Sequence, residues 1–244
     1  MINKGIAAKL RLNNMINYLF EPSSRREAKQ RRIKNKVEKR DKKKVFVIGF
    51  NKTGTTSLET FLKEEGYILG IQGLASKLIL DVVKDDTQPL IEFTKTAEAF
   101  QDIPFSLPDV YKELFKVYPN AKYILSVRDT PEDWFNSIVR FHSKVWGDGR
   151  KTTREDIQRI QNNGDGYPET WLNNYFDGTL YEKDVFCQKY KKHIEDVRHF
   201  FRGKLSNFIE INLKSKGDYE RLCTFLEIIP YKKTNGFPWE NKTA

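Results

Sequence analysis

The chain has 244 residues, 39% hydrophobic and 13% aromatic, enough for one α/β domain that buries roughly three quarters of its unfolded surface. Its formal charge of +10 is concentrated at one end: residues 1–44 hold 15 of the 43 basic and 4 of the 33 acidic residues, which leaves the rest at −1. That balance argues against a nucleic-acid-binding body, the distant cysteines Cys187 and Cys223 have no metal-ligand spacing, and no run of about 18 apolar residues spans a bilayer.

In chain order, residues 1–43 form a basic leader. Apolar residues from Ile6 to Phe20 are spaced loosely for a helix, and a charged run follows to Lys44. Two readings stay open: a solvated helix with a flexible leader, or a basic amphipathic contact with an anionic membrane surface. Lys9 and Arg11 interrupt the apolar region, so it does not read as a signal peptide. Reduced thiols then fit a cytoplasmic protein, free or membrane-associated through the leader.

The domain is expected over residues 44–244. Lys44–Gly49 is a short β-branched apolar run of the kind that makes a buried parallel strand. The loop Asn51–Ser57 follows, then helical spacing from Leu58 to Glu65 that stops at Gly66. Further strands are expected at Ala99–Asp102, Lys122–Val127 and Asn207–Ile211. Helices are expected at Pro108–Tyr118, Pro131–Lys144, Arg154–Gln161, Glu182–Arg202 and Lys216–Leu226. Alternating strands and helices predict α/β architecture: a parallel sheet between two helical layers.

The first strand–loop–helix junction carries the chemistry. Gly49, Gly54 and small hydroxyl residues let backbone N–H groups approach an anion, and the following helix adds its positive end. Lys52 supplies a point charge; Thr53, Thr55, Thr56 and Ser57 supply hydroxyls. A nucleotide-hydrolysing loop has its lysine after the second glycine. Here Lys52 precedes Gly54, Thr55 takes the usual lysine position, and no strand ends in an aspartate suited to Mg²⁺. A metal-dependent kinase is thereby weakened, and no metal is expected.

Phe50-Asn-Lys-Thr-Gly-Thr-Thr-Ser57 resembles the 5′-phosphosulfate loop of sulfotransferases that use 3′-phosphoadenosine 5′-phosphosulfate (PAPS). The resemblance implies a P-loop-like sulfotransferase fold with a helical cap and PAPS as sulfonate donor. It implies that Lys52 stabilises the leaving group, with Asn51, Thr53, Gly54, Thr55, Thr56 and Ser57 as the cradle. Tyr123–Ser137 resembles the family's 3′-phosphate site, in which a strand ends in Arg and a Ser follows on the next helix; this assigns Arg128 and Ser137. The spacing is one residue longer than usual, so Asn136 stands as the alternative to Ser137. Glu210–Leu226 and Phe237–Thr243 are similar to the closing strand, helix and tail of a bacterial-type branch, and Lys242 and Thr243 read as a solvated tail, with contact to the nucleotide as the second reading.

Sulfonate transfer to a hydroxyl needs a general base. Asp102, ahead of Pro104, occupies a position comparable to a His or carboxylate in the family, and the residues equally allow an aspartate that caps the turn before Pro104; His142 is the alternative base, and His193 and His199 read as packing or surface residues. Between Phe141 and Phe186, Trp146, Tyr167, Trp171, Tyr175, Phe176 and Tyr181 could stack on a carbohydrate or glycolipid acceptor, or form the core of the cap. Two rivals complete the expectations: a Mg²⁺-dependent kinase, and a non-catalytic nucleotide-binding module.

Overall fold

A strand buried on both faces needs apolar side chains at nearly every position. Val45–Val47 (β1) and Lys122–Ser126 (β3) are buried along their whole length in the computed structural model. With Ala99–Phe100 (β2) and Phe208–Ile211 (β4) they form a four-stranded parallel sheet in the order β2-β1-β3-β4. Val45 pairs with Ala99 on one side and Lys122 on the other, and Tyr123 pairs with Phe208. On edge strand β4, buried Ile209 and Ile211 alternate with half-buried Phe208 and Glu210.

The structure describes residues 34–40, 42–162, 167–229 and 236–237. The chain divides into two compact units, 1–41 and 42–244. The described part of the first contains one helical turn over 34–38. The apolar spacing from Ile6 to Phe20, and Lys242 and Thr243, lie outside the described residues.

Successive β1 side chains point to opposite faces, and each face has its own helical layer. Val45 and Val47 pack with Ile124 against Leu58, Phe61 and Leu62 of α1 (Thr55–Glu64). Phe46 and Ile48 face the larger layer. It contains α5 (Val110–Val117), α6 (Pro131–Val145) and α9 (Lys183–Phe200), with Tyr111, Leu114, Trp134, Ile138, Phe186, Tyr190 and Val197 buried. The last helix among the described residues, α10 (Asp218–Phe225), returns to the first layer through Tyr219 and Leu222. This is the three-layer α/β arrangement expected from the sequence.

Between β1 and β2 the chain also forms α2 (Gln72–Ala75), α3 (Ile79–Val82) and α4 (Gln88–Thr94). Two of these span four residues, too short to show a helical period. The cap consists of α7 (Arg154–Asn162) and α8 (Tyr167–Tyr175) against α6 and α9. Trp171, Phe176 and Tyr181 are buried, so they are cap core rather than a sugar-stacking surface. No helix among the described residues is long and apolar enough to cross a membrane.

The strand order places the site. From central β1 the chain reaches β2 on one side, and β3 lies on the other. The crevice beyond the carboxyl ends of β1 and β3 is therefore a topological switch point, where open α/β sheets bind ligands.

A candidate anion site at the switch point

The loop leaving β1 is held open by specific contacts. Gly49 lies so close to β3 that an added Cβ would fall 2.3 Å from the Ser126 backbone oxygen. Thr53 Oγ1 is 2.5 Å from the Phe50 carbonyl and 2.6 Å from Ser126 Oγ, tying the loop to β3. The Trp134 indole donates to the Asn51 carbonyl at 2.9 Å. Lys52 and Gly54 both have positive φ, 70° and 107°, and non-glycine residues reach that region at a cost.

Helix α1 starts at Thr55, three residues before its expected start, so Thr55, Thr56 and Ser57 form its first turn. Gly54 is the N-cap and supplies no side-chain hydrogen bond. Its carbonyl accepts from Ser57 and Leu58. The first-turn amides therefore keep the positive end of the helix pointed at the crevice.

Arg128 leaves the end of β3 and turns toward this loop. Its Nε donates to the Lys52 carbonyl at 2.7 Å, and its own backbone N–H is held by the Tyr190 hydroxyl at 2.9 Å. Lys52 and Arg128 thus lie on the same side of the sheet, joined through the loop backbone. The Lys52 ammonium sits 4.1 Å from the centre of the Phe141 ring. Burial lowers the Lys52 pKa and so does Arg128; Asp102 opposes this, while Arg140 and Lys144 add to it. Burial also lowers the Arg128 pKa. Two half-buried cations, an uncapped helix end and hydroxyls make a cluster suited to an anion.

Asp102 lies two residues beyond β2. The strand stops at Phe100 instead of continuing to Asp102, because Asp102 has a φ of 62°, outside the extended region. Its Oδ1 accepts from the Ile103 N–H at 2.8 Å, and its carbonyl accepts from the Ser106 N–H at 3.0 Å. Burial raises its pKa to about 6, opposed by the Ile103 N–H and by Lys52. A carboxyl poised there, partly accessible and electrostatically coupled to Lys52, suits a general base.

The other candidates separate cleanly. Ser137 is half-buried on α6, one turn after Trp134 and one turn before Phe141, the two residues that touch the loop. Asn136 is exposed and points about 160° away from Trp134 around the helix. The geometry therefore favours Ser137. His142 is fully buried, stacked on Trp146 with ring centres 3.7 Å apart, and its Nδ1 is 2.9 Å from the Tyr181 hydroxyl. Burial holds its pKa well below the usual imidazole range, so it is poorly placed to accept a proton. His193 is a core residue bonded to the Ile48 carbonyl at 2.8 Å, and His199 is exposed.

Sequence reading missed Trp134, Phe141, Tyr190 and Ser126 as supports of the loop. Trp134 and Phe141 are seven residues apart on one helix, a two-turn spacing that could have marked a shared face. Nothing local marks Tyr190. Tyr167 also reaches the site, its hydroxyl 3.5 Å from Asn51 Nδ2.

A family profile described as a sulfotransferase domain matches residues 44–244. No match to the chain was found among curated proteins.

Proposed function

The chain belongs to the sulfotransferase domain family, and on that premise we propose that it transfers the sulfonate of PAPS to a hydroxyl of an acceptor. The reading is carried by the Arg128 Nε to Lys52 carbonyl contact at 2.7 Å, which brings the two candidate phosphate-binding cations to one crevice. PAPS supplies a sulfonate activated by a phosphate leaving group.

The residues present fit that donor. The amides of Gly54, Thr55 and Thr56 and the hydroxyls of Thr55, Thr56 and Ser57 at the uncapped start of α1 hold the 5′-phosphate. Lys52 neutralises charge that builds on the bridging oxygen as the bond to sulfur breaks. The Arg128 guanidinium and the Ser137 hydroxyl hold the 3′-phosphate, and Thr53 and Asn51 fix the loop. Asp102 takes the proton from the attacking hydroxyl, which lines up with sulfur and the leaving oxygen. Trp146 and Tyr167, half-buried beside the site, offer aromatic faces to a glycan, glycolipid or small-molecule acceptor.

Calorimetry with adenosine 3′,5′-bisphosphate tests the assignment. Lys52→Ala and Arg128→Ala should each weaken binding by about 100-fold, the scale of losing a charge-assisted phosphate contact. Ser137→Ala should weaken it about fivefold, one neutral hydrogen bond, and Asn136→Ala should leave it unchanged. Unaltered affinity in either cation variant would overturn the site.

A further inference from the structure

A second cleft lies apart from the donor crevice. It encloses about 780 Å³ between the α3–α4 turn, the start of α5, the end of α8 and one face of α9, and none of the residues assigned to the donor site lines it. That volume takes a small organic ligand. Val82 and Val110, both buried, and half-buried Val83 give it an apolar wall. His193, 2% exposed, lies on its buried side.

His193 sets what the cleft can take. Its Nε2 faces the Ile48 carbonyl at 2.8 Å. A carbonyl only accepts, so Nε2 carries the proton and Nδ1 keeps a bare lone pair. That Nδ1 is buried without a hydrogen-bond partner among the described residues, which costs stability until a donor reaches it. The ring is stacked on Phe50 with centres 4.3 Å apart, which holds it in this orientation. Burial lowers its pKa to about 4, so it is neutral near pH 7. The charged groups of the cleft point the same way. Lys112, Lys189 and Lys192 are already ion-paired, with Asp109, Asp177 and Asp196 at 2.6, 2.8 and 2.9 Å. Asp85, exposed on the α3–α4 turn, has no ion pair among the described residues. An anionic ligand would set acceptors against the Nδ1 lone pair and the Asp85 carboxylate. A neutral hydroxyl suits the buried nitrogen, because burying a charge there would cost more, and a cation suits the exposed carboxylate.

We propose that this cleft binds a small amino alcohol, its hydroxyl donating to His193 Nδ1 on the buried side, its ammonium facing Asp85 at the rim, and its carbon chain against the valines. The site is separate from the donor crevice and does not depend on the donor reading.

The test is an NMR titration of the isotope-labelled full chain, following the side-chain nitrogens of His193 with exposed His199 as the reference. Three probes of equal length are compared: aminopentanol, with its hydroxyl and amine at opposite ends, pentanediol and hydroxypentanoate. Aminopentanol should shift the His193 Nδ1 resonance and leave His199 unmoved. It should bind about threefold tighter than pentanediol, the scale of one solvent-exposed ion pair. Hydroxypentanoate should bind at least about threefold more weakly than the diol, because Asp85 repels it. Asp85→Asn, an exposed substitution, should bind aminopentanol and pentanediol equally. His193→Phe would disturb the packing around Phe50, so the wild-type resonance carries the test of Nδ1. Aminopentanol that leaves Nδ1 unmoved, hydroxypentanoate that binds as tightly as aminopentanol, or an amine preference that survives Asp85→Asn would each overturn the proposal. No nucleotide is present, so these outcomes are independent of the calorimetry that tests the donor site.

Discussion

Asp102 is the residue at which the proposed base role and stability pull against each other. Its pKa stands at about 6 in the fold against an ordinary 3.8, mainly because burial penalises the carboxylate. The folded chain therefore binds this proton more tightly than the unfolded chain. The stability this gives is complete below about pH 4 and is lost as pH rises through about 6. Asp102→Asn, which keeps an acceptor for the Ile103 N–H, should raise stability at pH 7 by on the order of 2–3 kcal/mol, measured by urea denaturation. The same carboxylate must be ionised to take a proton. Turnover of the wild type should rise with pH through an apparent pKa near 6, while Asp102→Asn should bind the nucleotide normally and show low, pH-independent residual turnover. Retention of the acidic limb in that variant would move the base elsewhere.

At the scale of elements, the loop depends on two glycines for different reasons. An added Cβ at Gly49 would meet backbone, the Ser126 oxygen at 2.3 Å, so relief requires β1 and β3 to part. At Gly54 the Cβ would meet the Leu213 side chain at 2.6 Å, and the φ of 107° is itself strained for alanine. Gly49→Ala should cost more than about 3 kcal/mol, and Gly54→Ala about 2 kcal/mol. Adding Leu213→Ala to Gly54→Ala should not restore the wild-type denaturation midpoint, because the backbone strain remains. Trp134→Phe removes the hydrogen bond to the Asn51 carbonyl and should weaken adenosine 3′,5′-bisphosphate about fivefold, on the scale of one neutral hydrogen bond.

These supports also show where sequence reading reaches its limit. The motif residues Lys52, Gly54 and Arg128 were legible because glycines, a lysine and hydroxyls coincide at one strand–helix junction, and an arginine ends a second strand. The start of α1 was placed late because Thr55–Ser57 have no apolar residue to begin a helical period. What holds the motif in place is tertiary: Tyr190 reaches Arg128 from a helix 62 residues away. The distinction between Ser137 and Asn136 needed the register of α6 against the loop, which spacing alone does not supply.

For the molecule as a whole, the sheet order is the decisive feature. Because β1 is flanked by β2 and β3, the ends of β1, β2 and β3 present Lys52, Asp102 and Arg128 to one crevice. The parallel α/β architecture could be read from alternating strands and helices. The strand order could not, because the chain reads the same whichever side of β1 each strand joins. The account depends on that crevice recognising a nucleotide with both a 3′- and a 5′-phosphate, and a thermal-shift comparison measures this directly. At about 100 times its dissociation constant, adenosine 3′,5′-bisphosphate without metal should raise the melting temperature by roughly 5–10 °C, while ATP with Mg²⁺ at the same concentration should give little change. Stabilisation by ATP with Mg²⁺ and none by adenosine 3′,5′-bisphosphate would contradict the account.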